Sequence, residues 1–172
     1  MCAKIISIEQ AIEMKNEYKA RIKPLIESYR GGNYKATEFA WIDIDSLKNY
    51  INLLEEVNSK NADQISGVRI YFGAHPKITT SDTKTTEMYS ERESVFLVPT
   101  VELPSATASE YPNLNHVPFC INTNGGSDPK KGSFEAISDL LNARDNASNR
   151  TTNYSNKTSL ILDDMSLTPP PG

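Results

Sequence analysis

The chain has 172 residues and a formal net charge of −4, from 22 acidic and 18 basic residues. The two signs are interspersed without a basic block that could follow a phosphate backbone, so the charge pattern disfavours nucleic-acid binding. No window reaches the roughly 18 to 20 apolar residues of a membrane span, and the first ten residues lack a secretory signal, so we expect a soluble, cytoplasmic protein.

A long helix is predicted to begin after Ser7, because Ser7 and Gln10 have the spacing of a capping box. Pro24 lies inside the helical pattern and predicts a kink or break, since proline lacks the amide that the helix needs. Glycines 31 and 32 predict its end. The following apolar residues recur at helical spacing and predict a buried stripe: Ile8, Ala11, Ile12, Tyr18, Ile22, Leu25, Ile26 and Tyr29.

A strand is predicted over 37–44, where the residues are β-branched, aromatic or apolar, and a second helix over 46–59. The next strand, over 67–75, alternates and should place Val68, Ile70 and Phe72 on its better-buried face. Further strands are predicted over 93–103 and 117–121. Ser133 is predicted to cap a short helix with Phe134 and Ile137 on one side.

Together these elements predict an α+β fold, with a small, mostly antiparallel sheet of three to five strands packed against two helices. Long irregular loops separate several strands. We expect one domain over 1–142 and an extended C-terminal tail over 143–172, rich in Asn, Ser and Thr, which is disordered alone or docked on a partner.

Asp43 and Asp45 lie between the strand and the second helix, and the pair resembles the Asp-x-Asp opening of the haloacid-dehalogenase phosphatases. In that family the carboxylates hold magnesium and attack a phosphate. The Gly and Thr that follow in the family are replaced here by Ser46 and Leu47. Because an aspartate before an apolar-periodic run is typically a cap, we interpret Asp45 as the N-cap and leave Asp43 as a catalytic candidate.

The other candidates carry metal, thiol or guanidinium chemistry. His75, His116 and Cys120 are candidate metal ligands, and Cys120 with a histidine is a candidate nucleophile. His75 and Arg69 join Asp43 as catalytic candidates, since Arg69 could bind a carboxylate or phosphate. Each has a structural alternative: single polar residues in loops, or an arginine paired across the sheet. Cys2 and Cys120 are too few for a disulfide framework, so we expect reduced thiols, with one bridge between them as the alternative.

No convergent catalytic set follows from the sequence, and no cofactor is predicted. We therefore expect a non-enzymatic protein–protein interaction or assembly component, which acts through its loops and tail on a protein partner or another copy of itself. The alternative is a small metal-dependent hydrolase or ligand-binding enzyme that uses Asp43, His75 and His116 around a divalent metal.

Overall fold

A computed structural model describes residues 5–77, 91–102, 115–137, 140, 156–163 and 166–167. The chain divides into two compact units. The first comprises Met1–Ala40, His75–Glu93 and Leu167–Gly172, and the second comprises Trp41–Ala74 and Ser94–Ser166. The predicted tail boundary at 142 and the polar loop after residue 77 lie outside the described residues.

The helices are α1 (Ile8–Glu17), α2 (Lys23–Arg30) and α3 (Ile44–Lys60), and a π-helical turn, Tyr18–Ile22, joins α1 to α2. The described strands are β1 (Ala40–Trp41), β2 (Ile65–Ala74), β3 (Glu93–Glu102), β4 (His116–Asn122), β5 (Ser133–Ala136), β6 (Lys157–Thr158) and β7 (Ser166–Leu167). In the described parts of the chain, no helix is both long enough and apolar enough to cross a membrane.

The first helix begins at the predicted capping box: the Ser7 hydroxyl accepts from the Gln10 amide, and the Gln10 side chain accepts from the Ser7 amide. Pro24 occupies the first turn of α2. Since Pro24 has no amide to donate to the preceding turn, the chain widens there, and the Lys23 amide donates instead to the Tyr18 carbonyl. The helix ends at Gly31, whose φ of 71° favours glycine.

Most of the stripe predicted to be buried on this helix is exposed, and its members Tyr18 and Ile26 are only half-buried. No residue of α1, the π-helical turn or α2 is buried. Leu25 is 68% exposed, and Ile8, Ile12, Ile22 and Tyr29 are exposed with it. This part of the prediction is wrong, because the helical period identifies an apolar side without identifying what covers it.

Polar contacts around Glu93 hold the first unit. One Glu93 carboxylate oxygen accepts from the Tyr34 hydroxyl at 2.6 Å and from the Thr37 amide at 3.2 Å. Burial works against ionisation of Glu93, but these hydrogen bonds outweigh it and lower the pKa of Glu93 below its usual value. Partial burial and the bond to Glu93 raise the pKa of Tyr34 to about 12.

A second polar cluster in this unit surrounds Glu38. Lys23 donates to the Glu38 carboxylate at 2.6 Å, and the Lys15 and Lys19 ammonium groups lie within 3.7 Å of it. These lysines follow one another at four-residue steps along the helix. The hydrogen bond from Lys23, with support from Lys19, lowers the pKa of Glu38.

In the second unit, five strands form an antiparallel sheet with the order β2-β3-β4-β5, and β6 also pairs with β4. The register places Val101 opposite Val117, and Cys120 opposite Glu135. The predicted α+β class, with a small sheet packed with helices, is confirmed. Strands β3 and β4 match the predicted strands 93–103 and 117–121 closely.

The core of the second unit lies on both faces of β4. On one face, α3 packs against the sheet through a cluster of Tyr50, Leu54, Val57, Leu97, Phe119, Ile121 and Leu160. On the other face, a smaller cluster contains Val98, Cys120 and Ile137, with Tyr71, Phe96 and Leu140 packed on it. Because side chains alternate along a strand, Phe119 and Ile121 point to α3 and Cys120 points away.

Three local predictions are corrected. The strand predicted over 37–44 is reduced to Ala40–Trp41, and α3 begins already at Ile44. The helix predicted after Ser133 is wrong, because residues 133–136 form β5 and pair with β4 from Phe119 to Asn122. Strand β2 alternates as predicted, but Arg69 and Tyr71 are half-buried while Val68, Ile70 and Phe72 are exposed.

Candidate functional site

Asp43 is the N-cap of α3. Its Oδ2 accepts hydrogen bonds from the Asp45 amide at 2.8 Å and the Ser46 amide at 3.0 Å. The prediction that Asp45 is the cap is wrong: Asp45 lies in the first turn, and its carboxylate is 3.2 Å from the Lys48 ammonium. The carboxylate that the sequence left unexplained therefore has a structural role at the start of a helix.

Cys120 has the environment of an inert thiol. It is buried in the smaller cluster, and its sulfur contacts the Glu135 carbonyl at 3.6 Å. Burial raises the pKa of Cys120, which opposes formation of the thiolate that a nucleophile needs.

His116 and Cys120 lie on the same face of β4, four residues apart. A strand advances about 3.3 Å per residue, which separates them by about 13 Å, too far to share one metal ion. His75 follows β2 in the first unit, and its amide donates to the Arg92 carbonyl at 2.9 Å. Within the described ranges, no group of three or more His, Cys, Asp or Glu is arranged to hold a metal ion.

His116 instead contacts a serine. Its Nδ1 lies 2.8 Å from the Ser66 hydroxyl oxygen. The same hydroxyl lies 3.1 Å from the Thr100 carbonyl and 3.2 Å from the Thr100 hydroxyl. Thr100 is buried, whereas Ser66 is exposed. Three neighbouring strands supply the three side chains, with Ser66 near the start of β2, Thr100 near the end of β3 and His116 at the start of β4.

These side chains line an open pocket of about 360 Å³, together with Gly67, Val68 and Arg69. The Arg69 guanidinium donates to the Tyr71 hydroxyl at 3.3 Å, and Tyr71 donates in turn to the Leu140 carbonyl. Arg69 is therefore the one catalytic candidate from the sequence that lies beside His116 in this pocket. Glu102 stands directly opposite His116 in the β3–β4 register, so their side chains share a face of the sheet.

The Ser66 hydroxyl has one proton, and the Thr100 carbonyl and His116 Nδ1 compete to accept it, which gives two arrangements that differ at the histidine. In one, Ser66 donates to the Thr100 carbonyl and accepts from His116 Nδ1–H. In the other, Ser66 donates to an unprotonated Nδ1 of His116. Only the second prepares the serine oxygen to lose its proton to the imidazole.

Strand β2 offers a second functional feature. It forms one edge of the described sheet, and Val68, Ile70 and Phe72 are 40%, 62% and 90% exposed on one of its faces. An exposed edge strand presents unpaired backbone donors and acceptors to another chain. This apolar edge, Val68 to Phe72, is the candidate interface.

Sequence reasoning identified His116 and Arg69 but missed Ser66 and Thr100. Ser66 and His116 are 50 residues apart, and no local motif connects them. The alternation of β2 was visible in the sequence, but its exposed side was assigned to the core. The three side chains of the pocket come together only because β3 lies between β2 and β4 in the sheet.

Comparison with protein-family models, curated proteins and solved structures found no match to this chain. The two sites above are therefore interpreted from their own geometry.

Proposed function

We propose that this protein is a self-associating interaction protein and that β2 pairs with β2 of a second copy. The observation that carries the proposal is the exposure of Val68, Ile70 and Phe72 on an edge strand of the described sheet. A strand added at this edge completes backbone hydrogen bonds and covers the three apolar side chains at once. The loops and tail predicted from the sequence to be the contact segments lie largely outside the described residues.

A second copy suits this edge because β2 is complementary to itself. In an antiparallel pair centred on Ile70, Val68 faces the second copy's Phe72, and Ile70 faces its own counterpart. On the other face, Arg69 lies opposite Tyr71, a pairing that a cation and an aromatic ring favour. A centre at Arg69 would set two guanidinium groups against each other, so we expect the Ile70 register.

The strand pair is a small interface. A ten-residue strand buries less than the roughly 1,200 to 2,000 Å² of a standard stable interface. We therefore expect weak, concentration-dependent association and symmetric pairs rather than filaments, because the same patch is used by both copies.

The register gives a cross-linking test. In a chain with Cys2 replaced by serine, Ile70→Cys should form a disulfide between copies under mild oxidation, since residue 70 meets its counterpart at the centre. Val68→Cys is the matched control: its counterpart would be four residues away, about 13 Å, and should not cross-link. Equal cross-linking of the two variants, measured on non-reducing gels, would contradict the register.

A charge test addresses the association itself. Ile70→Lys should lower the association constant at least tenfold in sedimentation velocity, because two buried ammonium groups would face each other. Ile51→Lys changes an apolar residue of the same unit that is 47% exposed on α3, and it should leave association unchanged. A monomeric wild-type chain at millimolar concentration would overturn the proposal.

The compartment is part of the proposal. The buried, free thiol of Cys120 is what a reducing, cytoplasmic environment maintains, and this supports a cytoplasmic location.

A further inference from the structure

We propose that Ser66 is a nucleophile activated by His116 and that the pocket around them accepts small carboxylic esters. This activity does not depend on self-association through β2, although Val68 and Arg69 line the pocket and also belong to the proposed strand pair.

The contact has the geometry that serine activation requires. A nucleophile and its base must lie within about 2.6–3.2 Å, and Ser66 Oγ is 2.8 Å from His116 Nδ1. Ser66 is exposed at the pocket, so a substrate carbonyl can reach it. The buried Thr100 hydroxyl lies 3.2 Å from the same oxygen and can donate to it. In the arrangement in which Ser66 donates to the imidazole, this second contact holds the serine oxygen in place.

The reaction is an acyl transfer. Ser66 Oγ attacks the ester carbonyl, a new carbon–oxygen bond forms, and the Ser66 proton passes to Nδ1 of His116. The tetrahedral intermediate then breaks its bond to the leaving alkoxide, which takes that proton from His116 and departs as the alcohol. Water releases the acyl group from Ser66 by the reverse sequence, giving the carboxylic acid and the free hydroxyl.

One charged residue of the pocket is placed to support the charge that develops on the ester. Arg69 lines the pocket and carries the positive charge that a developing acyl oxyanion requires. The volume, about 360 Å³, suits small acyl groups.

The experiment treats the full chain with p-nitrophenyl acetate, follows p-nitrophenolate release and maps the acetyl group by mass spectrometry. The tryptic peptide 61–69 contains Ser66 as its only hydroxyl residue, so its modification is unambiguous. Ser59 is the internal control: its hydroxyl donates to the Glu56 carbonyl, with no histidine contact in the described structure. We expect Ser66 to be acetylated at least tenfold faster than Ser59.

Two variants complete the test. Ser66→Ala should abolish modification of peptide 61–69, and His116→Gln should slow it about a hundredfold, the lower end of general-base effects. Equal acetylation of Ser66 and Ser59 in the native chain, or an unchanged rate in folded His116→Gln, would overturn the proposal. The comparison of the two serines needs no variant, so it decides the question even if a substitution impairs folding. Self-association of Ser66→Ala, measured in parallel, separates this result from the proposed pairing of β2.

Discussion

The two units are stabilised by different interactions. In the second unit, α3 and the sheet bury apolar clusters on both faces of β4. In the first unit, no residue of α1 or α2 is buried, and hydrogen bonds and ion pairs around Glu93 and Glu38 make the contacts. Buried apolar area stabilises by about 25 cal/mol per Å², whereas in a partly buried ion pair such as Lys23–Glu38 the cost of removing the charges from water offsets much of their attraction. The second unit should therefore be the more stable.

The largest expected difference comes from the same substitution in a helix of each unit. Leu54→Ala in α3 removes a side chain that is 7% exposed and should cost about 2–5 kcal/mol of unfolding free energy. Leu25→Ala in α2 removes one that is 68% exposed and should cost less than about 1 kcal/mol. Urea denaturation measures both. Equal costs would mean that the apolar side of α2 is buried in solution.

A glycine tests how closely the backbone packs in the second unit. A Cβ at Gly132 would overlap the Asn122 carbonyl, and the Gly132 amide also donates to the Asn61 side chain at 2.9 Å. Gly132→Ala should destabilise the protein by about 1–3 kcal/mol in thermal or urea unfolding. A Cβ at Gly67 would meet only the Thr100 hydroxyl at 3.6 Å, so Gly67→Ala is the matched control. A neutral Gly132→Ala would show that the turn relaxes freely.

Asp43 and Asp45 at the start of α3 should differ in how much each contributes to stability. Asp43→Ala removes the acceptor for two free amides and should cost about 1 kcal/mol, while Asp45→Ala should change stability by a few tenths of that. Asp43→Asn should retain most of the stability because the amide oxygen still accepts. If Asp45→Ala proved the more costly, Asp45 would be the cap after all.

The smallest expected change in unfolding free energy comes from a substitution in the first unit, and it should depend on pH. Tyr34→Phe removes the hydroxyl that donates to Glu93 and should cost about 0.5–1 kcal/mol near pH 6, allowing for solvent screening. Because the pKa of Glu93 is lowered in the folded chain, its contribution is fully present above the unfolded value of 4.5 and is lost progressively as the pH falls from there through the lower folded pKa.

Urea unfolding of wild type and Tyr34→Phe at pH 6 and pH 3 makes the comparison. The difference between the two proteins should be smaller at pH 3 than at pH 6. Tyr29→Phe alters a tyrosine that is 91% exposed and serves as the control. A difference that stays constant between the two pH values would contradict the role of ionised Glu93.

Local signals in the sequence predicted local structure well. Ser7 with Gln10, Pro24 and the glycines at 31 and 32 located the start, the interruption and the end of the first helical segment. These signals succeed because each depends on bonds within a few residues. Strand β4 was also predicted, from its short apolar run, although its pairing partners are distant in the sequence.

Predictions that depended on distant partners failed. Residues 133–136 carry a helical spacing and a good cap, yet pairing of Phe134 with Ile121 and of Glu135 with Cys120 makes them a strand. Alternation in β2 identified two faces but not which one the rest of the chain covers. His116 and Arg69 were recognisable by chemistry, whereas Ser66 became a candidate only through its contact with His116.

The π-helical turn between Tyr18 and Ile22 adds one residue to the first helical segment. One extra residue rotates everything after it by about 100° relative to an uninterrupted α-helix. The helical periodicity of α1 therefore does not continue into α2. A heptad assignment carried across Tyr18 would place the α2 side chains on the wrong side of the helix. The apolar residues from Ile8 to Tyr29 share one side only in an uninterrupted count, so the extra residue turns those of α2 about 100° away from those of α1.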